Sequence, residues 1–158
     1  MVKAEAWYDG ASKGNPGPSG AGFRIKSDHK GVCKGYVYTG HNTNNFAEYT
    51  GLLGVLRFAK DIEGLTELYV RGDSKLVTEQ IKGAWQCRSD TLRPLYLEAL
   101  DRIKALEADG VKFTIEWIPR AQNAEADRLA NRAVETMRSV LIQPEGIKCY
   151  REASAASA

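Results

Sequence analysis

Hydrophobic and polar positions change their period several times along the chain, and each change marks an element. Lys3-Ala4-Glu5-Ala6-Trp7-Tyr8 reads as a β-strand, as do Gly20-Ala21-Gly22-Phe23-Arg24-Ile25-Lys26 and Val32-Cys33-Lys34-Gly35-Tyr36-Val37-Tyr38. Ser27-Asp28-His29-Lys30-Gly31 between the last two is turn material. From Asn45 to Lys60 the apolar residues Leu52, Val55, Leu56 and Ala59 recur at helical spacing. Gly51 and Gly54 disfavour this helix in isolation, so it is expected to press closely on a sheet. Thr66 to Gly72 is a fourth strand, and Ser74 to Lys82 a short helix broken by Gly83. Ser89 or Asp90 caps a longer helix that runs to about Asp109. Val111 to Ile118 is a fifth strand stopped by Pro119, and Asn123 caps a last helix to about Arg138. The order βββαβααβα predicts an α/β fold with one mixed sheet and helices packed on it.

The 158 residues suit one domain, expected over residues 1–138. Residues 139–158 have weak periodicity, end in Glu152-Ala153-Ser154-Ala155-Ala156-Ser157-Ala158, and are expected to be a flexible tail. No apolar run is long enough to span a bilayer, and the N-terminus lacks the apolar stretch of a secretory signal, so no membrane partner is expected. The net charge of +2 neither requires nor excludes a nucleic-acid partner, because a local basic groove can sit on a near-neutral protein. Cys33, Cys87 and Cys149 match no zinc spacing. Free thiols in a reducing cytoplasm are the favoured reading, with a bridge to Cys149 left open.

The stretch YDGASKGNPGPSGAG, residues 8–22, has neither the Gly-x-x-x-x-Gly-Lys pattern of a phosphate loop nor a dinucleotide Gly-x-Gly-x-x-Gly. Asn15-Pro16-Gly17 has type II turn chemistry, with proline fixing φ and glycine accepting the positive φ that follows. A plain connection between antiparallel strands explains the glycines and prolines. It leaves unexplained Asp9, an acid at the end of a buried-looking strand.

Three more acids stand in comparable places. Glu48 lies in the first turn of a helix, Asp73 directly after the fourth strand, and Asp127 in the first turn of the last helix. Each has an ordinary structural reading. Asn45-Phe46-Ala47-Glu48 has capping-box spacing, Asp73 or Ser74 suits an N-cap, and Asp127 suits a helix N-terminus. Together they suggest more. Sites in α/β sheets form beyond the carboxyl ends of strands, where Asp9 and Asp73 meet if strands one and four are parallel neighbours. Glu48 shares a helix face with Leu52 and leans inward. Four converging carboxylates repel and raise one another's pKa, and divalent cations relieve that repulsion. All-oxygen ligands favour Mg²⁺ or Mn²⁺ over zinc.

Tyr8-Asp9-Gly10-Ala11-Ser12 with Gly14-Asn15-Pro16-Gly17-Pro18, then Thr43-Asn44-Asn45-Phe46-Ala47-Glu48, Gly72-Asp73-Ser74 and Ala126-Asp127-Arg128-Leu129-Ala130 together resemble type 1 ribonuclease H. The resemblance covers about residues 3–137. It implies a ribonuclease H-like fold, a five-stranded mixed β-sheet flanked by α-helices. It also implies an endoribonuclease that cuts the RNA strand of RNA/DNA hybrids by a two-metal-ion mechanism, leaving 5′-phosphate and 3′-hydroxyl ends. Asp9, Glu48, Asp73 and Asp127 would then be the catalytic carboxylates and hold two Mg²⁺ ions, with Mn²⁺ an alternative. Asn45 and Ser74 match positions near the minor groove of the hybrid. Ser12, Asn15, Thr43 and Asn44 fall where the family contacts nucleic acid. Trp85 follows the second helix, where the family carries an aromatic against the DNA strand; a core tryptophan is the equal alternative. The expected enzyme is a cytoplasmic monomer.

The chain departs from many members twice. Trp117-Ile118-Pro119-Arg120-Ala121-Gln122-Asn123 has no histidine before the last helix, and Arg120, a permanent cation, is the candidate phosphate contact there, with a solvent-facing loop arginine the equal alternative. Only Gly83 to Ser89 separates the second and third helices, so the basic protrusion is missing. Two other readings stay open. One is a hybrid-binding module whose chemistry is lost, and the other a DNA-processing enzyme of the same fold.

Overall fold

A computed structural model describes residues 1–28, 31–143 and 146–149, the last of these as backbone. β1 (Val2–Ser12), β2 (Gly17–Ser27) and β3 (Gly31–Asn42) form an antiparallel meander. β4 (Leu65–Gly72) lies parallel to β1, and β5 (Lys112–Trp117) parallel to β4. The helices are α1 (Asn44–Ala59), α2 (Lys75–Lys82), α3 (Arg93–Ala108) and α4 (Ala124–Thr136), with a 3₁₀ turn at Arg120–Gln122 before α4. The predicted order βββαβααβα is therefore present.

The sheet is wider than the five strands expected, in the order β5-β4-β1-β2-β3-β6-β7. β6 (Val140–Gln143) pairs with β3, and β7 (Gly146–Cys149) pairs with β6. The segment after residue 138, expected as a tail, thus begins with a hairpin on the sheet. Val140 packs beside Tyr36, Leu129 and Ala133, and the Ser139 hydroxyl accepts the Tyr38 N–H at 2.9 Å. Edge β3 supplies the hydrogen bonds that such a short apolar run cannot supply for itself. The low-complexity stretch from Glu152 onward lies outside the described residues, as does His29.

The strands also run further than their hydrophobic pattern. Asp9, Gly10, Ala11 and Ser12 pair with Gly22, Ala21, Gly20 and Ser19, so most of the glycine-rich stretch is ladder and Asp9 is inside β1. The type II turn is not formed. The Asn15–Pro16 peptide is cis, and the positive φ is at Gly14 (73°), not Gly17. Gly17 is needed for space, because a Cβ there would lie 1.8 Å from the Lys13 carbonyl oxygen.

α1 sits on one face of the sheet, with α2 and α3 beside it. Tyr49 of α1 meets Tyr96 of α3 edge to face and donates its hydroxyl to Gln80 of α2 at 2.6 Å. Gly51 and Gly54 act as expected. A Cβ at Gly51 would stand 2.9 Å from the Asp9 carbonyl oxygen, and one at Gly54 would stand 2.6 Å from the Phe23 ring. Gly22, one residue from Phe23, faces the other side by strand alternation, and there α4 covers it. The buried alanines Ala126, Ala130 and Ala133 line that contact.

Two caps differ from expectation. Thr43, not Asn45, caps α1, its Oγ1 accepting the Phe46 N–H at 3.2 Å, so the Asn45–Glu48 capping box is absent. Asn123 makes no side-chain cap on α4. Ser74 does cap α2 through the Val77 N–H, and the Ser89 hydroxyl accepts the Leu92 N–H just before α3.

A Cβ at Gly22 would fall 2.5 Å from the Ala126 carbonyl oxygen and 2.6 Å from the Ala130 nitrogen, both backbone. Gly22→Ala is expected to destabilise the fold by about 1–3 kcal/mol through overpacking. Urea denaturation checks it, and an unchanged midpoint would mean that α4 shifts freely.

Candidate active site

Tyr8 and Gly72 are the last parallel pair of β1 and β4, so Asp9 and Asp73 leave that ladder side by side. The Tyr8 ring lies where a Gly72 side chain would be, 2.5 Å from a notional Cβ. Gly10 does the same for α1, since a Cβ there would come within 2.3 Å of the Glu48 nitrogen. The first turns of α1 therefore rest on β1, and the Gly10 N–H bonds the Glu48 carboxylate. α4 is tied in by Asn123. Its buried Nδ2 donates to the Tyr8 carbonyl at 2.9 Å, and its carbonyl accepts the Asp127 N–H at 3.0 Å.

Asp9, Glu48 and Asp73 each bring a carboxylate oxygen within 4.8 Å of the others. Asp127 lines the same cleft, of about 440 Å³, outside that tight group. Asp9 and Glu48 are each 3 % exposed, and the Oε2 atom of Glu48 has no hydrogen-bond partner. Asp73 and Asp127 are half-buried.

Ser12, Asn44, Ser74 and Arg120 also line the cleft. Arg120 is 81 % exposed and 3.8 Å from Asp127. Asn15, Thr43 and Asn45 stand outside the lining. Asn15 Oδ1 accepts the Asn44 N–H at 2.8 Å and fastens the β1–β2 turn to the start of α1. Asn45 is exposed beside it. Trp85 is 46 % exposed, which sets aside its core reading. Its loop is braced by Gln80, whose Nε2 donates to the Gln86 carbonyl at 3.1 Å. Cys33 and Cys87 are both buried, and the side chain of Cys149 lies outside the described residues.

Sequence reasoning missed Asn131, which lines the cleft and donates to the Asp127 carbonyl and carboxylate at 2.9 and 3.3 Å. The signal that could have found it is its position four residues after Asp127 on one helix face. Asn123, expected as a cap, instead uses its side chain as a clamp on β1.

Burial does most to lift the Asp9 carboxyl far above the usual carboxylate range; the Glu48 charge comes next, and the Asp73 charge adds to it. Burial also raises Glu48, while its hydrogen bond with Asp9 acts the other way. The two carboxyls interact, so their titration belongs to the pair. An acid whose folded pKa is raised stabilises the fold fully below its unfolded pKa, near 4, and that contribution is lost as pH rises through the folded value. In metal-free protein Asp9→Asn is expected to gain on the order of 1–3 kcal/mol at pH 8, with the gain vanishing near pH 4. Thermal unfolding of both proteins across that range in chelator is the check. A variant melting below the unaltered chain at pH 8 would refute the strain.

A family model described as reverse transcriptase-like matches residues 7–133. The bifunctional protein Rv2228c of Mycobacterium tuberculosis is 43 % identical over 129 residues, 80 % of this chain but 34 % of that protein. The chain thus spans about a third of the length of that relative. The crystal structure of RNase H1 from Halobacterium salinarum matches with a TM-score of 0.74 at 38 % identity, over 85 % of this chain and 98 % of that one. LC11-RNase H1, solved in complex with an RNA/DNA hybrid, matches with a TM-score of 0.70 at 31 % identity, over 85 % of this chain and 99 % of that one. With the acids of β1, α1 and α4 and the one that follows β4 gathered on one cleft, and these likenesses spanning nearly the whole domain, the chain belongs to the type 1 ribonuclease H family.

Proposed function

We propose that this chain is an endoribonuclease that hydrolyses the RNA strand of RNA/DNA hybrids with two divalent cations, leaving 5′-phosphate and 3′-hydroxyl ends. The observation that carries the reading is the set of three carboxylates within 4.8 Å of one another on an open cleft. The orphaned Glu48 Oε2 fits a cation, since a buried oxygen without a partner is costly unless something coordinates it. An all-oxygen set suits Mg²⁺ or Mn²⁺. Asp9 would be shared between two ions, with Glu48 and Asp73 completing one site and Asp127 the other. Bound there, the ions supply positive charge against the scissile phosphate and acidify the attacking water.

The chain's own groups orient the substrate and hold the acids. Asn131 fixes Asp127 by two hydrogen bonds, and Asn123 fixes α4 to β1 beside Asp9. Ser74 uses an oxygen lone pair on the α2 cap, which leaves its O–H to donate to a ribose 2′-hydroxyl. Asn44 and Ser12 offer polar atoms along the same wall, and Asn45 and Thr43 extend it outward. Asn15 sets the height of that wall through Asn44. Arg120 offers its guanidinium to a phosphate, and Trp85 a flat face to a base of the DNA strand. The catalytic groups all fall within residues 1–138, and the cleft is complete within one chain, so a monomer suffices. No described helix is long and apolar enough to cross a membrane.

Labelled RNA/DNA hybrid with Mg²⁺, Mn²⁺ or chelator, beside the Asp73→Asn protein, tests the reading. Metal-dependent cutting of the RNA strand is expected, with kcat lowered on the order of a thousandfold in Asp73→Asn, about 4 kcal/mol of transition-state stabilisation. Tight hybrid binding without cutting would favour the binding module, and equal cutting of duplex DNA the DNA-processing enzyme.

Asp9 and Glu48, both raised by burial, must lose their protons before they can ligate, so metal occupancy rises with pH. With no histidine in the 119–123 loop, the rate at subsaturating Mg²⁺ is expected to climb from pH 6 to pH 9. A bell with an acidic optimum would contradict this.

A further inference from the structure

We infer that Trp117 is a positioning residue for Asp73: its indole N–H holds the Asp73 carbonyl and thereby sets the aim of the third carboxylate. The inference rests on the metal-dependent reading above and deepens it.

Trp117 ends β5 and is 42 % exposed, so burial does not account for a tryptophan there. Its Nε1 donates to the Asp73 carbonyl oxygen at 3.1 Å. That carbonyl falls in a gap. Gly72 and Trp117 are the last pair of the β4–β5 ladder, and the Gly72 carbonyl takes the Ile118 N–H at 2.9 Å. The first carbonyl used inside the α2 turn is that of Ser74, which accepts the Thr78 N–H at 3.1 Å. Between strand and helix the Asp73 carbonyl has left one pattern without entering the other, and the indole supplies its partner.

Asp73 needs such an anchor more than its neighbours. Asp9 and Glu48 are buried, whereas Asp73 is half-buried. On its inner side the backbone is set by Gly72 against the Tyr8 ring. On its outer side the described groups that hold it are Ile118 and Trp117. The indole is in turn steadied by Lys75, whose ammonium lies 5.6 Å from the ring centroid. A lysine in the first turn of a helix opposes the macrodipole, and the negative face of the ring compensates that charge.

Trp117→Phe keeps a ring over which Lys75 can rest but removes the donor, and Trp117→Ala removes both. Calorimetric titration with Mn²⁺, without hybrid, reads the site directly. Both variants are expected to bind Mn²⁺ about three- to tenfold more weakly, the range set by one hydrogen bond. In cleavage the half-activating Mg²⁺ concentration should rise by the same factor, while KM for hybrid at saturating Mg²⁺ stays within about twofold. Melting temperature in chelator separates positioning from collapse, and Trp117→Phe should melt close to the unaltered chain. Unaltered Mn²⁺ affinity in Trp117→Phe, with loss only in Trp117→Ala, would make the ring's packing the active feature and overturn the inference. No Mn²⁺ binding by the unaltered chain would instead overturn the metal reading, and this inference with it.

Discussion

Asp9 and Glu48 are buried side by side, and nearly every feature around them makes that placement tolerable. Burying one carboxylate opposes folding, and a second beside it adds repulsion. Among the described residues the nearest ion pair on the cleft, Arg120 with Asp127, leaves this pair aside. Burial holds both carboxyls above the usual carboxylate range, the Gly10 N–H counters that rise at Glu48, and close packing of α1 on β1 keeps the two acids together. That packing needs backbone against backbone. Around the acids, Gly10 lies under α1, Gly51 over the Asp9 carbonyl and Gly72 against the Tyr8 ring. The glycines that weaken α1 as a helix and β1 as a strand are thus the means by which the acids are assembled.

This explains why the glycine-rich stretch misleads when read as a loop. Local preference argues against strand at Gly10, yet it sits in the ladder because α1 needs its bare backbone, as α4 needs that of Gly20 and Gly22 on the other face. Glu48 is legible for the opposite reason. Leu52, one turn on, marks the buried face of α1, and that inference needs nothing from outside the helix. The same logic fails for Asn131, since a polar residue on a helix with one apolar stripe looks solvated until the partner wall is known. The β6–β7 hairpin is unreadable in advance because Val140, Leu141 and Ile142 are too few to show a period; what makes them a strand is the free edge of β3, a property of the assembled sheet. Asn45 and Thr43 both carry N-cap chemistry at the start of α1, and only backbone geometry selects Thr43.

The connection between α2 and α3 is short but not loose. Gln80 spans from the Tyr49 hydroxyl to the Gln86 carbonyl, Arg93 reaches the Cys87 carbonyl at 3.0 Å, and Cys87 is buried between them. Trp85 is therefore presented from a braced turn. If Trp85 meets the DNA strand as proposed, an aromatic held still leaves less ordering to occur on contact.

The seat of α4 on β2 has a further consequence. Two residues along a strand advance about 6.7 Å, and four along a helix about 6 Å. The step from Gly20 to Gly22 therefore nearly matches the step from Ala130 to Ala126, so both glycines meet the helix at one setting. The next same-face positions on β2 are Pro18 and Arg24, which offer side chains instead of bare backbone. Like a vernier, the two scales coincide at a single mark. The helix that carries Asp127 can be seated there or not at all, and its placement is indexed in whole residues rather than adjusted by degrees.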